Sequence, residues 1–204
     1  MSAQTMSCAP VAAPSGRCNA HEKLVCGADY RPLVSGYKTE YPAEWAEHRI
    51  CATTGHNALY ARKTYKAGEV IMAFSYRSMS DYPTYLTVQV GEDKHIELSP
   101  AWLEHVNHSC EPNAMFNTTT FNFEALRDIA VGDELCFFYP STEWAMDSPF
   151  QCKCGKPSCL GYIAGASQLT REQLASRRLT DFIANKLDER DAGASSSSPC
   201  DSSQ

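Results

Sequence analysis

The stretch Cys152-Lys-Cys154-Gly-Lys-Pro-Ser-Cys159 constrains this chain more than any other, because its C-x-C-x4-C spacing sets three thiols side by side. Gly155 and Pro157 force a tight reversal between them, so the three can wrap one ion. Zinc takes four soft or borderline ligands in a tetrahedron, at ~2.3 Å from each sulfur, so a fourth ligand has to come from elsewhere in the chain. Cys110 is the first candidate, because it lies in the polar cluster NHSCEPNAMF, Asn107 to Phe116. Cys136, in ELCFFY, is the second, although a small buried apolar role suits it better. Three unrelated thiols are the plain alternative. The chain has ten cysteines, and its first residues lack a basic start followed by an apolar block. Thiols are therefore expected to be reduced, and grouped thiols to mean metal rather than disulfides. The expected location is intracellular, in cytoplasm or nucleus.

The 204 residues suffice for one medium domain, with 43% apolar residues for its core. No run approaches the roughly 20 apolar residues of a membrane span, so no membrane partner is expected. The net charge of −6 argues against direct nucleic-acid binding and suits a neutral or cationic partner, or solubility alone. Residues 1–24 read as a disordered arm and 191–204 as a disordered, Ser-rich tail. Between them lie short β-like runs: Ala58 to Tyr65, Glu69 to Tyr76, Tyr85 to Val90 with Lys94 to Leu98 as a hairpin, two runs around Asn117 to Thr120, and Glu134 to Tyr139. Thr170 and Gln173 form a capping-box pattern that opens one amphipathic helix to about Asp188. A short helix is also expected over Pro42 to His48.

Four of these features, in this order, resemble the SET-domain family of S-adenosylmethionine-dependent lysine methyltransferases. ALYARKTYKAGEVIMAF resembles the family's opening hairpin. VNHSCEPNA matches its NHSC-x-PN signature at Asn107, His108, Ser109, Cys110, Pro112 and Asn113. RDIAVGDELCFFY resembles the strand-turn-strand that ends on a tyrosine, here Tyr139, and CKCGKPSCLGYI resembles the cysteine-rich post-SET segment. The resemblance implies a mostly β (α+β) fold of small sheets with a knot-like crossing at the NHSC segment. It divides the chain into a SET domain over 25–150, a post-SET zinc-binding segment over 151–165 and a C-terminal helix over 166–190. It implies zinc at Cys110, Cys152, Cys154 and Cys159. S-adenosylmethionine is expected near Ala58, Leu59, Tyr60, Asn107 and His108, catalysis at Tyr139, and an amine channel lined by Tyr85, Phe137 and Tyr162.

The activity implied is direct methyl transfer to a protein lysine, a histone among the candidates. His108 and Asn113 also suit a purely bracing role inside a buried crossing. The donor loop differs from the family pattern. Ala58 stands at the second glycine position, Glu104 and His105 replace an arginine and an aromatic residue, and Phe138 replaces an acidic one. A diverged SET-fold protein, acting on a small molecule or serving as a non-catalytic binding module, is the second reading.

Overall fold

A computed structural model of the protein describes residues 36–196. The arm expected over 1–24 and the end of the Ser-rich tail lie outside these residues. The described chain is mostly β-strand, in small sheets, with two α-helices at its C-terminal end. One antiparallel sheet joins β1 (Tyr37–Ala43), β2 (Ala46–Cys51) and β3 (Asn57–Ala61). A second orders β4 (Val70–Ala73), β10 (Asn122–Ala125) and β9 (Ala114–Asn117). A third places β7 (Lys94–Ser99) between β5 (Ser75–Ser80) and β6 (Thr87–Gly91). β12 (Phe150–Gln151) pairs with β13 (Tyr162–Ile163). Among the described residues no helix is long and apolar enough to cross a membrane.

The pairing that positions the site is short and parallel. β8 (Asn107–His108) lies beside β11 (Cys136–Phe137), with Asn107 opposite Cys136 and His108 opposite Phe137. The Ser109 amide continues this ladder to the Phe137 carbonyl at 2.9 Å. Asn113 then grips the same partner twice through its side chain. Its Nδ2 donates to the Glu134 carbonyl at 2.8 Å, and its Oδ1 accepts from the Cys136 amide at 2.9 Å. Asn113 is buried, so these bonds satisfy backbone groups that water does not reach.

Side chains of consecutive residues on this strand serve different cores, because strand side chains alternate in direction. Phe137 joins the main core, where it meets Phe116 edge-on with centroids 4.9 Å apart. Phe116 in turn stacks on Phe123 at 4.6 Å. Phe138 joins a second core with Leu169, Leu174, Ile183 and Leu187. Tyr139 returns to the first side, 4.7 Å from Phe137.

Three expected elements differ in the structure. Pro42 to His48 is not a helix: β1 and β2 form a hairpin through it, with Ala43 paired to Ala46. Pairing of β2 with β3 buries Ala46, Glu47 and His48, an advantage that an isolated helical turn lacks. The run Glu134 to Tyr139 is a strand only at Cys136–Phe137, and Tyr139 opens a 3-10 turn, Tyr139–Ser141. The helix expected from Thr170 to Asp188 is two, α1 (Arg171–Leu174) and α2 (Asp181–Ser196). The capping box at Thr170 and Gln173 is present. The break arises at Thr180, whose amide and hydroxyl both donate to the Ser141 carbonyl at 3.0 Å. α2 restarts there and runs to Ser196, into the stretch expected to be a tail.

Asn113→Ala leaves the half-buried Glu134 carbonyl and Cys136 amide without this partner, so it should destabilise the fold by about 1–3 kcal/mol. Urea denaturation measures this, and an unchanged midpoint would show that the amide braces nothing.

Candidate functional site

A cleft of ≈ 580 Å³ opens beside the β8–β11 pair. That volume is within the range of cofactor and ligand sites. Its walls come from four places: the loop Thr54–Asn57, the start of β6 with Tyr85, the turn Glu104–Asn107, and the chain from Tyr139 to Phe150.

Tyr139 lies on the cleft wall, its ring packed by Phe137 and by Phe150 at 5.9 Å. Its hydroxyl donates to the Val106 carbonyl at 3.4 Å. Burial pushes its pKa well above the ordinary tyrosine value, and negative charge at Cys136 and Glu134 adds to the shift. The phenol therefore stays neutral at physiological pH, able to donate or accept a hydrogen bond.

Behind Tyr139 stands His108, which is buried and outside the cleft wall. Its Nδ1 accepts from the Tyr139 amide at 3.3 Å, which places the imidazole proton on Nε2. Nε2 then donates to the Cys110 sulfur at 3.4 Å. Burial, helped by the charge of Arg177, pushes the His108 pKa down to about 3, so the ring is neutral. One imidazole thus ties the Tyr139 backbone to a thiol.

That thiol belongs to a cluster. The sulfurs of Cys110, Cys152, Cys154 and Cys159 all lie within 4.8 Å of one another, and Cys110 is 3.9 Å from Cys152. Four sulfurs at ~2.3 Å from a central zinc stand about 3.8 Å apart, so the spacing suits that ion. Backbone amides of Leu160 and Cys154 donate to the sulfurs of Cys110 and Cys152, both at 3.4 Å. Burial pushes the Cys110 thiol up to about 11. Cys154 runs against its burial: amide donors and neighbouring thiols bring it down to about 7. Cys136 lies outside this group, on β11.

The expected donor residues are placed differently from one another. Asn107 lines the cleft, and its Nδ2 reaches the Asn57 carbonyl at 2.9 Å, the Glu134 carboxylate at 2.9 Å and His56 at 3.1 Å. Ala58 and Leu59 are buried on β3, and Tyr60 lies under the Arg49 guanidinium, 3.9 Å from its ring. None of the three lines the cleft; the residues just before them, Gly55, His56 and Asn57, do. Of the expected channel residues, Phe137 and Tyr85 line it, Tyr85 at 71% exposure, whereas Tyr162 at 53% exposure does not.

Sequence reading missed Glu143, which lines the cleft at only 7% exposure. Its only signal was a lone carboxylate between Thr142 and Trp144 after the tyrosine. Its Oε1 accepts from the Gln89 amide at 2.9 Å and from the Thr142 hydroxyl at 3.1 Å. Burial still prevails and raises its pKa to about 7. His48 and His105 were missed as well. Their rings stack at 4.4 Å, and His105 reaches the cleft.

Residues 56–140 of the chain match the model of the SET domain. Its relatives include the methyltransferase flvH of Aspergillus flavus, 44% identical over 106 residues, or 51% of this chain and 59% of that protein. They also include a histone-lysine N-methyltransferase, H3 lysine-36 specific, of Kluyveromyces lactis, 27% identical over 63% of this chain and 20% of that protein. The enzyme of the same name from Aspergillus oryzae is 38% identical over 32% of this chain and 7% of its own length. The chain therefore spans less than two thirds of the curated relatives it matches.

The raised pKa of Glu143 has a definite sign for stability. Below about pH 4.5 the carboxyl is protonated in both folded and unfolded chains, and its ionisation costs nothing. Between 4.5 and about 7 only the unfolded chain ionises readily, and above 7 the full cost applies, on the order of 3 kcal/mol. Glu143→Gln keeps an oxygen for Gln89 and Thr142, so it should stabilise the protein at pH 8 relative to wild type and leave it unchanged near pH 4. Paired urea titrations at the two pH values check this; an equal difference at both would remove the linkage.

Proposed function

We propose that this protein transfers a methyl group from S-adenosylmethionine to an amine, a protein lysine first among the candidates. The observation that carries the reading is the convergence of Tyr139 and Asn107 on one cleft of ≈ 580 Å³, backed through His108 by the four thiols. The cleft fits such a donor in volume and in its mixture of apolar and polar lining, with His56, Asn57 and Asn107 among the polar residues and Phe137 and Phe150 among the apolar ones. When bound there, the donor supplies an electrophilic methyl on a sulfonium.

The rest is what this chain's own residues do. Asn107 and its neighbours hold the edge of the cleft through their shared hydrogen bonds. Phe137 and Phe150 exclude water around the Tyr139 ring. Enclosure disfavours a charged amine and so helps the acceptor to become neutral. The neutral phenol of Tyr139 orients that amine by hydrogen bonding. Zinc at the four thiols would set the position of Cys110 and, through His108, of Tyr139.

A small-molecule acceptor is the second reading. The relative flvH is named simply as a methyltransferase, and Tyr85 stands largely exposed at the cleft. Transfer of a radiolabelled methyl group to histones, to cell lysate and to small amines separates the two. Failure of S-adenosylmethionine to stabilise the purified protein would leave only a binding role.

Tyr139→Phe should lower kcat/KM by about 100-fold or more while the fold survives, since the hydroxyl acts on the reacting amine. Full activity in that variant would sink the assignment. Freshly prepared reduced protein should carry about one zinc per chain. Its removal should disorder residues 152–163, because metal binding at such a site is folding free energy. A metal content near zero would exclude zinc.

A further inference from the structure

Glu143 is enclosed without a cationic partner. Its Oε1 carries both of its hydrogen bonds, and among the described residues none reaches Oε2. The cleft it lines includes two other carboxylates, Glu104 and Asp147, and no lysine or arginine among the described residues. Those two are already accommodated: Glu104 meets Arg77 at 3.0 Å, and Asp147 accepts from the Ser148 hydroxyl at 2.8 Å. Of the three, only Glu143 is a buried residue, and its Oε2 has no hydrogen-bond partner among the described residues while keeping some contact with solvent.

Its position is fixed tightly. The Glu143 amide donates to the Tyr139 carbonyl at 3.1 Å, and both residues line the cleft. The Glu143 and Trp144 carbonyls accept from the amides of Ala166 and Ser167 at 2.8 and 2.9 Å. Gly165 makes that approach possible: a Cβ there would lie 2.5 Å from the Trp144 carbonyl oxygen. Gln89 closes the third side, its Oε1 accepting from the Trp144 amide at 2.9 Å. A carboxylate held this firmly, against its own desolvation, is stabilised when a ligand brings the missing positive charge.

We propose that Glu143 is the anionic contact for the protonated amino group of the methyl acceptor, so that the cleft selects alkylammonium compounds over neutral ones of the same shape. This rests on the methyl-transfer reading of the cleft, in that the cation it receives is the acceptor. It assigns recognition: the ammonium docks on Glu143, gives its proton to water, and Tyr139 orients the amine once neutral. The burial-raised pKa of about 7 agrees with a carboxylate short of counter-charge.

The test compares Nα-acetyl-lysine methylamide with its norleucine analogue, bound to wild type and Glu143→Gln in the presence of S-adenosylhomocysteine. Gln retains the oxygen that Gln89 and Thr142 use, so a merely bracing Glu143 predicts no change. Wild type should prefer the lysine compound by about tenfold or more, and the variant should lose that preference. Affinity for S-adenosylhomocysteine should stay the same in both. Where transfer is measurable, KM for the lysine compound should rise more than kcat falls. A preference retained in Glu143→Gln, or absent from wild type, overturns the proposal. So does a variant that loses donor binding instead, because the carboxylate would then serve the donor. The binding arm needs no turnover: a preference that persists in a protein without methyl transfer leaves the anchor standing and removes the activity.

Discussion

The convergence of Cys110 with Cys152, Cys154 and Cys159 is the constraint on which the site depends. The two stretches are far apart in sequence, yet their sulfurs gather within 4.8 Å. Glu111 extends the same contact, its carboxylate accepting from the Ser158 amide at 3.2 Å and hydroxyl at 3.0 Å. These bonds are exposed and contribute little by themselves. Their geometric effect is larger, because β12 and β13, which flank the loop, bring Phe150 against Tyr139 and His108. The thiol cluster therefore helps to place a cleft wall as well as a possible ion.

His108 carries the coupling inward. A neutral imidazole with its proton on Nε2 joins sulfur to the Tyr139 amide, and Phe138, Tyr139 and Phe150 surround the ring. Arg177 supports the same corner from the C-terminal segment. Its guanidinium lies 4.9 Å from the Phe138 ring centre and donates to the Ser158 carbonyl at 3.0 Å. The second core is thus more than a cap for the C-terminal helix. It holds Phe138 while Phe137 is held by the first core, and the chain between two packed anchors has little freedom to turn Tyr139 elsewhere.

What was legible in the sequence followed from short-range chemistry. The hairpin at Lys94 to Leu98 shows as alternation around a turn, and the capping box at Thr170 shows as two residue types at a fixed offset. The thiol spacing called for a fourth ligand, for which the polar cluster offered Cys110 first and β11 offered Cys136 second, and the structure brings the Cys110 sulfur to the other three. What was not legible depended on long-range partners. The break at Thr180 exists because Ser141 offers a carbonyl, and nothing near Thr180 in sequence announces it. The hairpin over Pro42 to His48 owes its form to β3. Glu143 carried no signal of its own, because the Gln89 amide that marks its place comes from a distant strand. Ala58, Leu59 and Tyr60 were chosen by alignment to a motif, and strand pairing turned them into core and guanidinium-stacked positions.

Burial favours the neutral form of three groups that line the cleft, His105, Tyr139 and Glu143. His105 is pushed down by burial and by His48 beside it, so it resists taking a positive charge. Tyr139 is pushed up and resists taking a negative one. Glu143 is pushed up as well, yet only to about 7, so it is partly ionised near neutrality, and the carboxylates of Glu104 and Asp147 line the same cleft. With no lysine or arginine on the wall among the described residues, the charge presented to a ligand is negative. A sulfonium and an ammonium are both cations, and a cleft that offers no competing positive group lets each enter without repulsion from the protein. Two cations side by side repel each other, however, and a fixed carboxylate in the cleft that Tyr139 also lines offsets that repulsion. The same carboxylate, left without a ligand, costs the free protein stability above neutrality. That cost is the physical trace of a site shaped for an occupant rather than for the fold alone.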